Sequence, residues 1–331
     1  MIKLASIETV SNVFPHPNAD SIEFVQVLGY KCIVKKNTYH IGDKIILIQP
    51  DTVLPDAPWT EFYKKRSRNR VKAQRLRGEW SFGIVENLSL LPDGSYDVGQ
   101  EVSDILGIVK YEPPIPNDLQ AKGNLPFGIS KTDEERYQNL ELTDYLGQVV
   151  DVTLKIDGQS CSFYYKHICD DPNFVPVFGI TARSLELKPE CNNHYTAHIA
   201  RYNLENKLKA YCEKHNINLM LRGESYGPSI QKNPNNPHTN EYGWACFSVW
   251  LIDERCYAHK GHKHYFINVC EEMGVPYVPV LEKNVVLTQE LIYKYDSGLK
   301  TIDGKPFEGV VVKGNNFTFK IINKWYDELK E

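Results

Sequence analysis

Short runs of alternating apolar and polar residues, separated by turn residues, run through the first 110 positions of the chain. Runs long enough for a strand lie at residues 3–10, 22–28, 31–34 and 44–48. Clusters of turn-forming residues lie at 14–20 and 41–43. Several short strands joined by regular turns predict a small β-barrel, and an OB-type barrel fits a segment of this size.

A different pattern begins after a proline-dense segment at residues 111–117. Apolar runs that suit strands lie at residues 149–154, 162–166, 175–182, 217–221, 246–252, 309–312 and 317–322. The sequence predicts helices over residues 198–215, 262–273 and 288–295, and one short helix near residues 133–140. Strands and helices that mix without strict alternation predict the α+β class.

The length and composition of the chain agree with two domains. A chain of 331 residues with 42% hydrophobic content can form two separate cores. Because proline breaks regular structure, we place a domain boundary just after the proline-dense segment. The predicted organisation is an OB-fold domain at 1–116, a connector at 117–145 and a second domain at 146–331.

Net charge and cysteine usage narrow the class of protein. The formal net charge is −4, so any nucleic-acid surface has to be a local patch on an acidic body. None of the eight cysteines forms a C-x-x-C pair, which argues against a structural zinc site. The sequence shows no secretory signal and no apolar run of about 18 residues. We therefore expect a cytoplasmic monomer that has no membrane contact and keeps reduced cysteines in its core.

The densest basic run of the chain lies inside the first domain. It comprises Lys64, Lys65, Arg66, Arg68, Arg70, Lys72, Arg75 and Arg77, and it is flanked by Trp59, Phe62, Tyr63 and Trp80. Basic groups neutralise phosphates and aromatic rings offer stacking faces, so this mixture suits RNA or DNA. A solvated charged loop is the alternative. The candidate RNA-binding residues are Arg68, Arg70, Arg75 and Arg77.

The second domain is organised around Lys155-Ile156-Asp157-Gly158, which follows a short apolar strand. Lys155 and Asp157 are two positions apart, so in extended backbone their side chains point into the same space. A deprotonated lysine amine is a nucleophile, and a carboxylate beside it can hold a magnesium ion, usually through water. Gly158 permits a sharp turn or the close approach of a ligand. These residues suit a covalent lysine–nucleotide intermediate.

Polar residues recur at the predicted ends of other strands in the second domain. They are Arg183, Arg222, Glu224, Glu308, Lys313 and Lys320. Strand ends that converge on one cleft would bring together carboxylates for a metal ion and cations for phosphates. The chain contains no G-x-x-x-x-G-K-[ST] sequence, which excludes a P-loop.

Taken together, these motifs resemble those of the covalent nucleotidyltransferases, which include ATP-dependent ligases and capping enzymes. Residues 221–233 are similar to the G-E-x-x-G-x-x-I-Q-K stretch of the RNA ligase 2 family, and residues 247–252 to its adenine-stacking strand. Residues 308–313 match the E-G-x-x-x-K motif, and residues 319–323 match the last lysine motif. The order and spacing of the motifs agree with the family.

The N-terminal barrel resembles that of the RNA ligase 5 group, which carries an OB domain before the catalytic domain. The matching segments are residues 14–20, 42–43, 75–78 and 106–114. The resemblance therefore covers nearly the whole chain. It implies an OB-type barrel followed by a covalent nucleotidyltransferase domain, an ATP-grasp-like ligase domain of antiparallel sheets with flanking helices.

The resemblance also implies an activity. An ATP-dependent RNA ligase of this kind joins 3′-hydroxyl and 5′-phosphate ends through a lysyl-AMP intermediate, in nick sealing or RNA repair. Lys155 would be the nucleophile, Asp157, Glu224 and Glu308 would arrange hydrated magnesium or manganese, and Lys313 and Lys320 would bind phosphates. Glu224 is also a candidate for holding the ribose, and Gly158 for lying against the nucleotide. Trp250 or Phe247 would stack on adenine, while Ser160 and Arg183 would serve the RNA steps that follow.

Three alternatives share parts of these features. DNA ligases and GTP-using capping enzymes use the same lysine chemistry, but they normally carry the OB domain after the last lysine motif. Here eleven residues follow Lys320, so an RNA ligase is the preferred interpretation. A non-catalytic RNA-binding protein is disfavoured by the complete set of lysines and carboxylates. One departure from the family is that Ile322 stands where a second lysine often follows, and Lys324 is the nearest substitute.

Overall fold

The computed structural model describes residues 3–67, 69–111, 121–131, 133–231, 238 and 240–328, except for the side chains of 65–67 and 327–328. The chain divides into two compact units, Met1–Pro114 and Ile115–Glu331. The first unit ends two residues before the expected boundary at 116. The residues expected to form a connector are part of the second unit.

The first unit is built mainly of short strands. The strands are β1 (Ala5–Pro15), β2 (Ile22–Val27), β3 (Tyr30–Lys35), β4 (Lys44–Ile48), β5 (Thr52–Val53), β6 (Gln74–Leu76), β7 (Glu79–Ser81), β8 (Ile84–Glu86) and β9 (Val109–Lys110). The helices are α1 (Glu61–Ser67) and α2 (Ser103–Leu106), with 3₁₀ turns at Pro58–Thr60 and Leu88–Leu90. The main sheet has the order β3-β2-β1-β4-β8, and β5 pairs with β9 and β6 with β7.

Strand β1 is long enough to serve both halves of a barrel. Residues 5–9 pair with β4, whereas the part of the strand from Val10 onwards pairs with β2. The β1–β2 pairing shifts in register between Val10 and Asn12. At the other edge, the backbone N–H of Phe82 donates to Lys31 of β3 at 2.9 Å, which nearly closes the sheet. Buried aliphatic residues such as Ile7 and Val25 fill the two halves of the interior. The predicted OB-type barrel is confirmed.

The second unit contains more strands and all of the longer helices. Its strands are β10 (Ala121–Asn124), β11 (Glu135–Arg136), β12 (Val149–Lys155), β13 (Gln159–Lys166), β14 (Val177–Thr181), β15 (Leu185–Leu187), β16 (Leu219–Tyr226), β17 (Gly243–Leu251), β18 (Cys256–Tyr257), β19 (Val280–Val286), β20 (Thr301–Ile302), β21 (Lys305–Pro306), β22 (Gly309–Lys313) and β23 (Thr318–Ile322). Its helices are α3 (Ala197–Tyr202), α4 (Leu204–His215), α5 (Phe266–Met273), α6 (Gln289–Tyr293) and α7 (Lys324–Glu328), with 3₁₀ turns at Tyr137–Asn139 and Leu142–Asp144 and a π-helical turn at Lys294–Gly298.

Two sheets form the body of this unit. One has the order β10-β15-β14-β13-β16-β17-β18, and the other has the order β11-β23-β22-β12-β19. Neighbouring strands run antiparallel, except that β11 pairs with β23 in parallel. The predicted α+β class is confirmed, and antiparallel sheets with flanking helices agree with the architecture that the resemblance implies.

Alternation along the strands separates the two faces of each sheet, and we call the face with the charged candidate residues the polar face, although in the first sheet it also buries Tyr164, Met220 and Trp250. In the second sheet, Val152, Val310 and Phe319 are fully buried in one core. The opposite face carries Lys155, and also Lys320, which lies across from Val311. In the first sheet, apolar side chains pack against α3, α4 and α5, while Arg222 and Glu224 lie on the other face. The polar faces are therefore the ones available to form a site.

Three predicted elements differ from the structure. Residues 133–140 are not an α-helix but strand β11 and a 3₁₀ turn, because the exposed edge of β23 pairs with them. The helix expected over 198–215 breaks at Asn203, whose φ of 52° is left-handed. Strand β16 continues to Tyr226 because β17 pairs alongside it, so Arg222 and Glu224 lie within the strand rather than beyond its end.

All eight cysteines are free, but they are not all core residues. Five are buried as expected, whereas Cys191 is half-buried and Cys169 and Cys256 are exposed. Within the described ranges, no helix combines the length and apolar character required to cross a membrane.

Gly223, between Arg222 and Glu224, gives a test of the packing that shapes this sheet. A β-carbon there would lie 2.3 Å from Nε1 of Trp244, whose indole is fully buried and donates to the Cys161 carbonyl. We expect Gly223→Ala to lower the free energy of unfolding by about 2 kcal/mol through overpacking. Gly123→Ala is the control, because nothing lies within 4 Å of its β-carbon position. Equal urea midpoints for the two variants would contradict this packing.

Candidate active site

Lys155 and Glu308 form the central contact of the polar faces. Lys155 ends β12 and lies opposite Gly309, the first residue of β22, so the preceding Glu308 is brought beside it. The Lys155 amine donates to both carboxylate oxygens of Glu308, each at 2.7 Å. The two side chains are 29% and 19% exposed, so the pair is only partly shielded from water. The predicted nucleophile and one predicted carboxylate are therefore in direct contact.

Two further carboxylates surround this pair. Burial by itself lowers the pKa of Lys155, but the charges of Glu308, Glu224 and Asp157 outweigh it and the pKa rises. Burial raises the pKa of Glu224 to about 8, with Glu308 and Asp157 adding to the rise and Lys155 opposing it. In this form of the protein Lys155 is consequently an ammonium ion, and the site carries more negative than positive charge.

Gly158 allows the lysine turn to lie directly against β16. A β-carbon at this position would lie 2.4 Å from the Ser225 carbonyl oxygen and 2.8 Å from Cγ of Glu224. The Gly158 N–H donates to the Glu224 carboxylate, and the Gly158 carbonyl accepts from Nε2 of Gln231 at 2.7 Å. A larger residue at 158 would push Glu224 away from Lys155.

The Asp133 carboxylate bridges two cations that were predicted to contact phosphates, Lys320 of one sheet and Arg183 beside the other. One of its oxygens lies 3.2 Å from Nζ of Lys320, and the other lies 3.3 Å from a guanidinium nitrogen of Arg183. Lys320 belongs to β23, whereas Arg183 follows β14 of the other sheet. The structure thus brings Lys320 and Arg183 to one carboxylate, as the convergence of strand ends predicted.

Lys313 and Ser160 occupy different environments within the same site. Lys313 is 2% exposed, its amine lies 5.3 Å from the centre of the Phe266 ring, and burial lowers its pKa. Ser160 is half-buried and lies directly across from Glu224 in the sheet. Lys313 is therefore covered in this structure, whereas Ser160 is partly accessible beside Glu224.

The two candidates for stacking on adenine differ in their surroundings. Trp250 is only 8% exposed, its indole nitrogen donates to the Gly128 carbonyl at 2.8 Å, and the Arg222 guanidinium lies 4.9 Å from the ring centre. The indole is therefore largely covered in this structure, with Arg222 and Tyr257 packed against it. Phe247 packs against the helix-covered core on the opposite face, so it is the weaker candidate.

Arg222 is not an exposed phosphate contact. It is 2% exposed, burial lowers its pKa, and it donates to the Ser130 carbonyl at 2.9 Å. Lys324, the substitute considered for a second motif lysine, forms an ion pair with Asp296. These two cations hold the fold around the site rather than line it.

The carboxylates fit a hydrated divalent cation better than a direct three-ligand site. In the part of the chain that the structure describes, no three His, Cys, Asp or Glu side chains are grouped closely enough to hold an ion. Even so, burial and, to a smaller extent, the charges of Glu308 and Asp157 raise the pKa of Glu224, and a cation bound beside these carboxylates would favour its charged form. Magnesium and manganese prefer carboxylate oxygens, and magnesium usually keeps several waters. Asp157, Glu224 and Glu308 are the residues that would hold it.

Only some residues of the basic run in the first unit are exposed and able to contact nucleic acid. Lys72, Arg75 and Arg77 are exposed, whereas Arg70 pairs with Asp51 at 2.7 Å and lies 3.8 Å from the centre of the Tyr111 ring. Lys64 is paired with Asp56, and Arg68 lies outside the described residues. Trp59 and Tyr63 pack against the barrel core instead of offering stacking faces, whereas Phe62 is 60% exposed.

Sequence reasoning missed three residues of the site. Asp133 stood in an acidic run that was predicted to be helical, and this run was a usable signal. Gln231 was quoted within a motif without a role. Tyr326, whose hydroxyl donates to Asp157 at 2.8 Å, gave no local signal because the two residues are 169 positions apart.

Comparison with known proteins agrees with this geometry. A family model described as RNA ligase matches residues 148–325, and an OB-fold domain model matches residues 4–88. No curated protein matches the chain in a sequence search.

Solved structures of Naegleria gruberi RNA ligase are similar over nearly the whole chain. The complex with pyrophosphate has 30% identity and a TM-score of 0.82, covering 99% of this chain and 98% of that one. A lysine-to-alanine variant with ATP and manganese has 28% identity and a TM-score of 0.83, covering 98% of each chain. A lysine-to-methionine variant with AMP and manganese has 28% identity and a TM-score of 0.82, covering 99% of this chain and 98% of that one.

The raised pKa of Glu224 predicts how stability depends on pH. An unfolded glutamate has a pKa of about 4.3, so the folded form binds this proton more tightly and loses stability as pH rises from there to about 8. We expect Glu224→Gln to escape this loss. The difference in unfolding free energy between Glu224→Gln and wild type should therefore increase in favour of the variant, by on the order of 2 kcal/mol, as pH rises from about 4.3 to about 8. The expected increase is smaller than the full pKa shift implies because Glu224 is partly exposed and solvent screens its charge.

Urea unfolding between pH 5 and 9, with EDTA and without nucleotide, measures this difference. Glu190→Gln, at an exposed glutamate, is the matched control and should show a flat difference. If the difference in unfolding free energy between Glu224→Gln and wild type also does not change with pH, the raised pKa of Glu224 is contradicted.

Proposed function

The chain belongs to the RNA ligase family, and we propose that it joins RNA 3′-hydroxyl and 5′-phosphate ends through an adenylated Lys155. It is an ATP-dependent ligase that works with a divalent metal ion, and RNA is its substrate. The observation that carries the proposed role of Lys155 is its contact with both Glu308 oxygens at 2.7 Å, beside Glu224 and Asp157. We propose nick sealing or RNA repair as the setting.

In the first step the Lys155 nitrogen attacks the α-phosphorus of ATP. An N–P bond forms, the bond to the pyrophosphate oxygen breaks, and the nitrogen loses one proton as the phosphoramidate forms; before the attack, the ammonium proton has to leave. Glu308 is placed to receive that proton because its oxygens lie 2.7 Å from Nζ. A divalent cation bound with ATP would offset the carboxylate charges that now raise the Lys155 pKa.

The remaining steps transfer the adenylate and then seal the RNA. The adenylate moves from Lys155 to an RNA 5′-phosphate, and a 3′-hydroxyl then attacks that phosphate and releases AMP. Phosphoryl transfer depends mainly on positioning and charge neutralisation. Lys320 and Arg183 support this role, because one carboxylate already bridges them and a phosphate can take its place. The planar guanidinium of Arg183 suits a phosphate in particular.

We propose that the exposed basic residues of the first unit contact the RNA backbone. Lys72, Arg75 and Arg77 lie on or beside the β6–β7 hairpin and are exposed. Positive groups on a net-acidic protein concentrate phosphate binding on one surface. We also propose a monomer as the working form, which is supported by the fact that one chain supplies all of the candidate site residues.

Covalent loading of the lysine is the most direct test of this mechanism. Purified protein with ATP and manganese or magnesium should gain about 329 Da in intact mass, as expected for an AMP adduct. Lys155→Ala should show no adduct, and Glu308→Ala should load at least about 100-fold more slowly, because a group that acts on the reacting nitrogen is lost. Normal loading of either variant would contradict the assignment.

The same preparation tests the substrate. Nicked duplexes with RNA or DNA strands, each supplied with ATP or GTP, separate an RNA ligase from a DNA ligase and a capping enzyme. We expect joining of the RNA strand with ATP. Joining of DNA alone, or loading by GTP alone, would contradict the proposal.

Charge removal on the hairpin tests the RNA contact. Arg75→Gln with Arg77→Asn should weaken RNA binding and reduce the slope of log K against log salt by about 1.4, or 0.7 per lost phosphate contact. Asn suits position 77, where φ is 50°. Lys35→Gln with Lys36→Gln, at exposed sites of the same unit, is the control. Adenylation of Lys155 should be unchanged in both double variants. An unchanged salt slope for the Arg75→Gln, Arg77→Asn variant would contradict the proposed RNA contact.

A further inference from the structure

The last helix of the described chain is fixed to the second unit by successive side chains. Asn323 is fully buried, and its side-chain oxygen accepts from the Trp325 N–H at 2.8 Å. Lys324 forms an ion pair with Asp296, which is 4% exposed. The Trp325 indole donates to a backbone carbonyl at 2.6 Å. Because these residues are held, the next residue, Tyr326, has a defined position.

Tyr326 reaches the candidate active site from this helix. Its side chain is 1% exposed, and its hydroxyl donates to Oδ2 of Asp157 at 2.8 Å. A buried phenol hydroxyl needs a hydrogen-bond partner, and here the partner is the carboxylate two residues after Lys155. This hydrogen bond connects the last helix to the lysine turn.

We propose that Tyr326 is a positioning residue that orients the Asp157 carboxylate for the hydrated divalent cation used in lysine adenylation. This proposal rests on the proposed function. A hydrogen bond on one oxygen fixes the plane of a carboxylate and therefore fixes the direction in which the group accepts bonds from metal-bound water. Outer partners of this kind set the geometry of groups that hold metals.

The charges around Lys155 explain why Asp157 needs such a partner. The Lys155 amine already contacts both oxygens of Glu308, and the charge of Asp157 acts on it as well. Attraction to the same ammonium ion would draw Asp157 toward Lys155 and away from the cation. The bond from Tyr326 holds the carboxylate against this attraction, because the helix that carries Tyr326 is itself anchored.

Tyr326→Phe removes only the hydroxyl and is the test. Manganese binding to the protein with a non-hydrolysable ATP analogue, followed by electron paramagnetic resonance of free Mn²⁺, reads the effect without catalysis. We expect binding to weaken by roughly tenfold, at the lower end of the effects of outer partners. The manganese concentration for half-maximal lysine loading should rise by the same factor, and the rate at saturating manganese should stay near that of wild type.

Tyr295→Phe is the matched control for a purely structural effect. Tyr295 is 3% exposed, and its hydroxyl donates to Glu282 at 2.7 Å, so it has the same chemistry outside the proposed site. Both variants should lose similar thermal stability, but only Tyr326→Phe should bind manganese more weakly. Equal manganese binding by Tyr326→Phe and wild type would overturn the proposal.

The effect should also depend on Asp157. In an Asp157→Asn background, adding Tyr326→Phe should leave manganese binding unchanged, because the group that Tyr326 orients no longer carries the charge. A further tenfold loss in that background would show that Tyr326 acts by another route and would also overturn the proposal. Failure of the proposed function is distinguishable, because wild-type protein would then show no lysine adduct at any manganese concentration.

Discussion

The charge balance of the candidate active site is set by one lysine, Lys155, and the three carboxylates that surround it. Burial lowers the pKa of Lys155, yet Glu308, Glu224 and Asp157 raise it further than burial lowers it. A partly buried cluster with excess negative charge is costly, and the protein reduces this cost in two ways. Lys155 binds Glu308 through both oxygens, and Glu224 has a raised affinity for a proton. The resting enzyme therefore holds Lys155 as an ammonium ion, and the proposed attack by Lys155 requires a change in local charge before it can begin.

The geometry of antiparallel strands places these groups. Side chains alternate between the two faces of a strand, so the apolar positions of β12, β22 and β23 fill one core while Lys155 and Lys320 lie on the opposite face. Glycines allow the close approaches, since at Gly158 a β-carbon would meet Ser225 and Glu224. The pairing of Lys155 with Gly309 and the close approach of Gly158 to β16 thereby place Lys155 near Glu308 and Glu224.

The same alternation explains what the sequence was able to predict. Strand positions, the OB-type barrel and the grouping of Lys155, Glu224 and Glu308 depend on local patterns and on motif order. The short helix predicted within the connector, near residues 133–140, was wrong because the conformation there is set by pairing with β23, which local propensity does not contain. Tyr326 and Asp133 were missed for a related reason, because each reaches the site through contacts with residues far away in the chain.

The cations of this site have internal partners in the free protein. Lys155 is bound to Glu308, and Lys320 and Arg183 are bound to Asp133. In the proposed mechanism, a phosphate that binds these cations replaces a carboxylate partner instead of meeting bare charges. Such an exchange avoids the penalty of leaving buried cations unpaired in the empty site. If Lys320 and Arg183 bind phosphate as proposed, Asp133 competes with that phosphate for both cations without taking part in bond making or bond breaking.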